Sequence, residues 1–314
     1  MNKTQIPWVK NPDGTQGYTW NPITGCLNQK GGLCNMGQFP CYAYRLANTR
    51  LRGLYLANHN VAPLTADTDC WYHDFGAEGF VDSRHDAPFY PRLWEDRVDK
   101  ISMSTGGGKG IFVCDMSDLF GIGIPEQWTN QVLKAIEYNP SNRFYLLTKQ
   151  PQNLIKYSPF PDNCYVGVTA TNEYLMNVAC TQLEWIKASV KFLSLEPLLS
   201  WNMGIAADAY CELLKSGGIN WAIIGACTGT RQDMEALCHR NPDLTLMPFG
   251  NKWSAQPKIE WVREIVEAAD KAGVKVFLKD NLGPLLVKER NGQKYAAGWA
   301  NGGTGTLRQE IPIS

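Results

Sequence analysis

The chain has 314 residues, with 30 Lys+Arg balanced by 30 Asp+Glu, and is 44% hydrophobic and 19% charged. This composition excludes general disorder and any global electrostatic pull toward nucleic acid or an anionic membrane, while the length suffices for one large α/β barrel or two modest domains. No apolar run is long enough to predict a membrane-crossing helix. The polar stretch from Met1 to Gly14, with Pro7 and Pro12, does not read as a secretory signal. The ten cysteines are therefore expected in a reducing cytoplasm, as buried thiols, metal ligands or catalytic groups.

Tyr18-Thr19-Trp20 reads as an opening strand, followed by a cysteine-bearing loop and a helix from about Tyr42 to Arg50. Residues 53–90 show no clean period and are rich in His, Asp and aromatics, which suits an insertion or lid. From about residue 110 the pattern becomes regular. Nearly continuous apolar, β-rich runs at 111–114, 144–148, 165–169, 190–195, 221–226 and 275–279 predict parallel strands covered on both faces. Between them lie helical segments. Pro125 starts one with Trp128, Val132, Leu133 and Ile136 on its apolar face and Asn139-Pro140 as its stop. Another spans 173–188, and a third follows Pro257 with Ile259, Val262, Val266 and Ala269 on one face and Gly273 as its cap. Strand and helix in alternation predict βαβ units, hence a TIM-like (β/α) barrel, complete or partial, as one domain over 1–314.

Parallel barrels carry their chemistry at the carboxyl ends of the strands. Here those ends supply Asp115, Ser117 and Asp118; Thr148 and Lys149; Thr169, Thr171 and Asn172; Glu196; Cys227, Thr228 and Arg231; and Lys279, Asp280 and Asn281. Any single one suits a strand end that simply meets water. Glu196, Lys149 and Lys279 each abut an apolar run directly, where a charge is costly unless paired or used.

The strongest local signal is Cys26, Cys34 and Cys41, spaced by seven and then six residues in a loop that holds Gly31, Gly32, Gly37 and Pro40. Thiolates are soft ligands that suit iron–sulfur clusters or zinc. Three sulfurs would leave one iron of a four-iron cluster open to a cofactor. A zinc site needs a fourth ligand, for which Cys70 and His73 are available. Three free thiols in a glycine-rich loop are the plain alternative.

These features resemble the radical S-adenosylmethionine superfamily, and more narrowly a prophage-associated family of radical-SAM-like proteins distantly similar to the spore photoproduct lyases. The similarity rests on Thr19-Trp20-Asn21-Pro22-Ile23-Thr24-Gly25-Cys26, Cys41-Tyr42-Ala43, Phe89-Tyr90-Pro91-Arg92-Leu93 and Met116-Ser117-Asp118-Leu119-Phe120. It continues through Leu146-Leu147-Thr148-Lys149-Gln150-Pro151 and Phe192-Leu193-Ser194-Leu195-Glu196-Pro197-Leu198-Leu199. Two departures stand out. The final cysteine pair, close in such relatives, is opened to six residues here, and Gly225-Ala226-Cys227-Thr228-Gly229 replaces a glycine-rich segment that carries a carboxylate.

The resemblance implies that Cys26, Cys34 and Cys41 hold a [4Fe-4S] cluster whose open iron binds S-adenosylmethionine. Reductive cleavage would then give a 5′-deoxyadenosyl radical that takes a hydrogen atom from substrate. It further implies an electron donor of flavodoxin or ferredoxin type. Phe39 or Tyr42 would pack on the adenine, and Asp115, Ser117, Asp118, Thr169 and Thr171 would meet the methionine or ribose end. Glu196, Lys149, Arg231 and Lys279 would meet the cofactor carboxylate or the substrate, and Cys227 would either donate a hydrogen atom or be simply a buried thiol. Two other readings stand beside it: a zinc-stabilised binding protein that uses the cysteine loop as a clip, and a metal-independent barrel enzyme that pairs Glu196 with Lys149 or Lys279. The analogy suggests nucleic acid as substrate, and Arg45, Arg50 and Arg52 form a small basic cluster able to track phosphates, although a peptide or small molecule fits equally.

Overall fold

A computed structural model describes residues 1–64, 73–76, 79–102, 108–202, 207–290, 293–303 and 305–312. They group into two compact units. The first comprises Met1–Gln5, Val9–Asn35 and Pro40–Cys164; the second comprises Ile6–Trp8, Met36–Phe39 and Tyr165–Ser314.

The first unit runs β1 (Asn2–Lys3), β2 (Tyr18–Trp20), β3 (Ile23–Thr24), β4 (Gln29–Lys30), β5 (Leu33–Cys34), α1 (Tyr42–Asn48) and α2 (Arg52–Leu56). It continues with β6 (His73–Gly76), β7 (Gly79–Asp82), β8 (Arg92–Leu93), α3 (Glu95–Ser102), β9 (Gly110–Val113), α4 (Glu126–Glu137) and β10 (Arg143–Thr148). Strand β2 lies parallel to β9, and β9 parallel to β10, with β1 antiparallel at the edge. All four residues of β9 are buried, as the continuous apolar run predicts for a strand covered on both faces. Pro125 caps α4 from an extended conformation rather than occupying its first turn. The helix turns Val132, Ala135 and Ile136 inward, and the buried Thr129 hydroxyl donates to the Leu119 carbonyl at 3.0 Å.

The second unit contains β11 (Cys164–Thr169), α5 (Glu173–Glu184), β12 (Val190–Leu195), α6 (Ala207–Ser216), β13 (Trp221–Ile224), β14 (Cys227–Gly229) and α7 (Arg231–Arg240). After these come β15 (Thr245–Phe249), β16 (Lys252–Gln256), α8 (Ile259–Ala272) and β17 (Lys275–Leu278). Strands β11, β12, β13 and β17 are parallel neighbours. Asn172 caps α5 by accepting from the Leu175 N–H at 2.9 Å. That helix ends at Glu184, short of the predicted 188, and Ile186 turns into the core instead. Gly273 closes α8 in the left-handed conformation, φ +72°, as its position predicts. Strands β14, β16 and β15 form a separate antiparallel sheet in that order.

The fold is thus mixed α/β and its strands are mostly parallel, in the order β1-β2-β9-β10 in the first unit and β11-β12-β13-β17 in the second. No helix of the described residues is long and apolar enough to cross a membrane.

Within the second unit the core is aromatic at the start of its strands. Trp8 packs on Phe192 and Trp221 with ring centroids 5.9 and 6.0 Å apart, and Trp221 meets Phe277 edge-on. Phe192 is the cross-strand partner of Gly167, and any Cβ at 167 would collide with its ring. The glycine is therefore a packing requirement on β11. Gly167→Ala is expected to cost about 1–3 kcal/mol through overpacking, read as a lower urea midpoint with an unchanged denaturant slope.

Candidate functional site

The cysteine segment belongs to the first unit and is built as a hairpin, not as the slack loop its glycines suggest. Strands β4 and β5 pair antiparallel, with Lys30 opposite Leu33 and Gln29 opposite Cys34. Gly31 and Gly32, at φ +57° and +83°, make the tight turn between them, which only glycine adopts readily. The Gln29 side chain accepts from the Gly32 N–H at 3.0 Å, and Leu33 forms a bridge with Pro40. The Cys41 N–H then donates to the Gly32 carbonyl at 2.8 Å, so the chain returns to the hairpin as α1 begins. Cys41 is the N-cap of α1, its sulfur accepting from the Tyr44 N–H at 3.5 Å, and the Cys26 sulfur accepts from the Asn28 N–H at 3.4 Å. Cys34 is buried; Cys26 and Cys41 are half-buried and pack on one apolar cluster of Ala43, Ala47, Tyr55, Phe89 and Met116.

Main-chain bonds fix where this segment starts. Ser117 donates its hydroxyl to the Gly25 carbonyl at 2.5 Å, the Gly25 N–H reaches the Met116 carbonyl, and the Cys26 N–H reaches the Phe89 carbonyl at 3.0 Å. Gly25, at φ +90°, lies so close to the Tyr90 carbonyl that a side chain there would collide with it. Asn21 works in both directions: its amide donates to Asp115 Oδ1 at 2.5 Å and its oxygen accepts from the Met116 N–H at 3.0 Å. Tyr42 donates its hydroxyl to the Asp115 carbonyl. Burial pushes the Asp115 carboxyl above its ordinary range, against the effect of the Asn21 bond.

Asp118 is buried and fully engaged. Its carboxylate accepts from the Thr148 hydroxyl at 2.7 Å, the Phe120 N–H at 3.2 Å and the Lys149 N–H at 2.9 Å. This ties the ends of β9 and β10 together. The Lys149 side chain is half-buried. Burial works against its charge, but Cys34, Asp118, Cys26 and Cys41 around it hold the ammonium above the ordinary lysine range. Burial pushes the Cys26 thiol up, and the Asp118 charge adds to that effect.

The second unit holds the remaining predicted positions. Glu196 and Lys279, at the ends of β12 and β17, form an ion pair, their side chains 24% and 14% exposed. Gly225, at the end of β13, is the floor beneath it: a Cβ there would lie 2.9 Å from Lys279 Cδ and 3.4 Å from Glu196 Cγ. The buried Asn281 amide spans Ala226, accepting from its N–H at 3.1 Å and donating to its carbonyl at 2.7 Å. Burial, together with the Glu196 charge, pushes the Cys227 thiol up to about 12. Thr169 and Thr171 are buried, and Thr171 donates to the Met36 carbonyl at 3.2 Å. Phe39 is half-buried in the neighbouring stretch. Arg231 is exposed, paired with Glu235 at 2.7 Å and stacked over Trp253. The structure thus pairs Glu196 with Lys279, while Lys149 belongs to the cysteine unit.

By chemistry alone the donor set suits a soft metal group: three thiols on one segment, two of them already accepting N–H bonds. Among the described residues, no three His, Cys, Asp or Glu side chains are gathered closely enough to hold a metal ion. Cys70 and the His73 side chain, the suggested fourth zinc ligands, lie outside the described residues.

Sequence reasoning missed the role of Arg92. Fully buried, it donates to the carbonyls of Asn58, Arg84, His85 and Ala87, the last two at 3.0 Å, and so clamps the flanks of the 53–90 insertion to β8. An arginine inside the apolar run Phe89 to Leu93 was the available signal. For Asp118, replacement by Asn sets an amide donor against the Lys149 N–H. Asp118→Asn is expected to lose about 1–3 kcal/mol, measured as a lower urea midpoint.

No curated protein matches this chain. Among solved structures, spore photoproduct lyase complexed with dinucleoside spore photoproduct is 12% identical with a TM-score of 0.42, the match covering 62% of this chain and 70% of that one. A cysteine-to-serine mutant of spore photoproduct lyase is 13% identical with a TM-score of 0.46, covering 83% and 76%. A double mutant with bound AdoMet and dinucleoside spore photoproduct is 12% identical at 0.45, covering 82% and 75%. A family model described as "Protein of unknown function (DUF5131)" matches residues 3–237, well over half of the sequence, and the chain belongs to that family.

Proposed function

We propose that the protein is a radical S-adenosylmethionine enzyme of the cytoplasm, its fold a partial or complete barrel acting as one domain, and its relatives prophage-associated. One observation carries this reading: Cys26, Cys34 and Cys41 all belong to the first unit, and the Leu33–Pro40 bridge together with the Cys41 N–H bond to the Gly32 carbonyl brings the last two back to one hairpin. They would hold a [4Fe-4S] cluster. When bound, that cluster and S-adenosylmethionine supply hydrogen-atom abstraction after one-electron cleavage of the sulfonium, with an electron donor of flavodoxin or ferredoxin type.

The chain's own residues then have separate tasks. Asn21, Ser117 and Asp118 spend their hydrogen bonds on main chain and on each other's loops, so they position the cysteine segment rather than grip a ligand. Tyr42, 48% exposed beside Cys41, presents an aromatic face to adenine. Asp115 keeps one carboxylate oxygen free of Asn21 for the ribose or methionine end. In the second unit we assign Glu196 and Lys279 to substrate, and Cys227 to hydrogen-atom donation, which needs the protonated thiol that burial favours. Exposed Arg45, Arg50 and Arg52 on the segment after Cys41 suit a phosphate-bearing substrate such as nucleic acid.

Purified without oxygen, the protein is expected to carry about four irons and about four sulfides per chain with little zinc. Replacing Cys26, Cys34 and Cys41 together by Ser should remove both, along with the release of 5′-deoxyadenosine from S-adenosylmethionine. One zinc and no sulfide after anaerobic reconstitution would sink the reading.

A further inference from the structure

Strand β17 ends the order of the central strands, with β13 as its one strand neighbour there. On the β13 side the N–H groups of Lys275 and Lys279 donate to the carbonyls of Asn220 and Ile224, which leaves Val276 and Leu278 facing outward. Unpaired N–H and C=O groups along such an edge invite pairing with another chain. All four are occupied. The Leu278 N–H donates to the Arg308 carbonyl at 2.8 Å and the Glu310 N–H to the Val276 carbonyl at 2.9 Å, so residues 308–310 run antiparallel beside Phe277. Side chains meet the other two: Glu310 Oε2 accepts from the Val276 N–H at 2.8 Å, and Gln309 Nε2 donates to the Leu278 carbonyl at 3.2 Å. Arg308 holds the Glu310 carboxylate at 2.8 Å and reaches Asp270 of α8 at 2.7 Å. Two further donors anchor the segment, Trp221 Nε1 to the Glu310 carbonyl at 2.8 Å and the Tyr165 hydroxyl to the Pro312 carbonyl at 2.9 Å.

One of these contacts does more than cover an edge. The same Gln309 Nε2 donates to Asp280 Oδ1 at 2.7 Å. Its amide therefore spans the residues on either side of Lys279, whose ammonium pairs with Glu196. Gln309 is exposed, so it fills no core space. What it supplies is two hydrogen bonds that hold the turn out of β17. An ammonium on a flexible four-carbon stem is aimed only when the backbone that carries it is fixed.

Resting on the assignment of Glu196 and Lys279 to substrate, we propose that Gln309 is a positioning residue for Lys279, through which the C-terminal segment serves the site as well as the sheet. The probe is acetic anhydride, added in limiting amount to the full-length protein, with acetylation of Lys279 read by peptide mass spectrometry. Lys275, exposed on the same strand, is the internal reference. In the unsubstituted chain Lys279 is expected to react more slowly than Lys275. Gln309→Ala is expected to raise the Lys279 rate about 3- to 10-fold, the factor carried by one net hydrogen bond, with Lys275 and the urea midpoint near native. Gln309→Glu keeps the shape but removes the donor at neutral pH, so it should behave as Gln309→Ala does, whereas a packing role would leave it native. A native Lys279 rate in either variant, with or without a lower urea midpoint, would overturn this inference and leave the assignment of Glu196 and Lys279 standing. Lys279 reacting as fast as Lys275 in the unsubstituted protein would overturn both.

Discussion

Asp118 offers two carboxylate oxygens to three donors, the Thr148 hydroxyl and the N–H groups of Phe120 and Lys149, and so locks the carboxyl ends of β9 and β10 against each other. Charge-assisted bonds of this kind are among the stronger ones a folded chain makes, and a buried carboxylate that lost one would be left under-solvated. Its neighbour Ser117 extends the lock to Gly25, and Asn21 joins β2 to the same corner. The start of the cysteine segment is thereby referred to two parallel strands.

The second unit solves a related problem differently. There the polar strand ends are not sewn to the main chain by a carboxylate; Glu196 and Lys279 satisfy each other across the end of β13. The arch works because residue 225 has no side chain and because Asn281 occupies both backbone groups of Ala226. A half-buried ion pair adds little to stability once desolvation is counted, and a well-packed apolar pair would serve a purely structural end as well. The two charges stand at the ends of the strands that flank β13.

The strands and helices were legible because continuous apolar runs and terminal signals are local. Val190–Leu195 is the same six residues in sequence and structure, and Gly273 caps α8 where its position indicates. The hairpin at Gly31-Gly32 was not legible as such. Two adjacent glycines look like slack in a sequence, whereas their paired positive φ values make a tight turn. Contacts between a side chain and a distant carbonyl leave no period at all. Arg92 reaching Asn58, Asp118 reaching Lys149 and Ser117 reaching Gly25 are of this kind.

The hairpin also bears on the widened spacing between the second and third cysteines. Six residues lie between Cys34 and Cys41, which in an extended chain would carry the sulfurs far apart. Leu33 and Pro40 form a bridge, however, and the Cys41 N–H reaches back to Gly32, so each cysteine lies one residue from the same pairing point. Most of the additional length, Met36–Phe39, is packed with the second unit, where Thr171 and Arg240 hold the Met36 and Gln38 carbonyls. Sequence distance has been uncoupled from spatial distance by one bridge and one turn. The number of residues between cysteines is then a weak guide to ligand geometry, and what governs it is the pairing of residues 32–33 with 40–41, which the extra residues leave untouched.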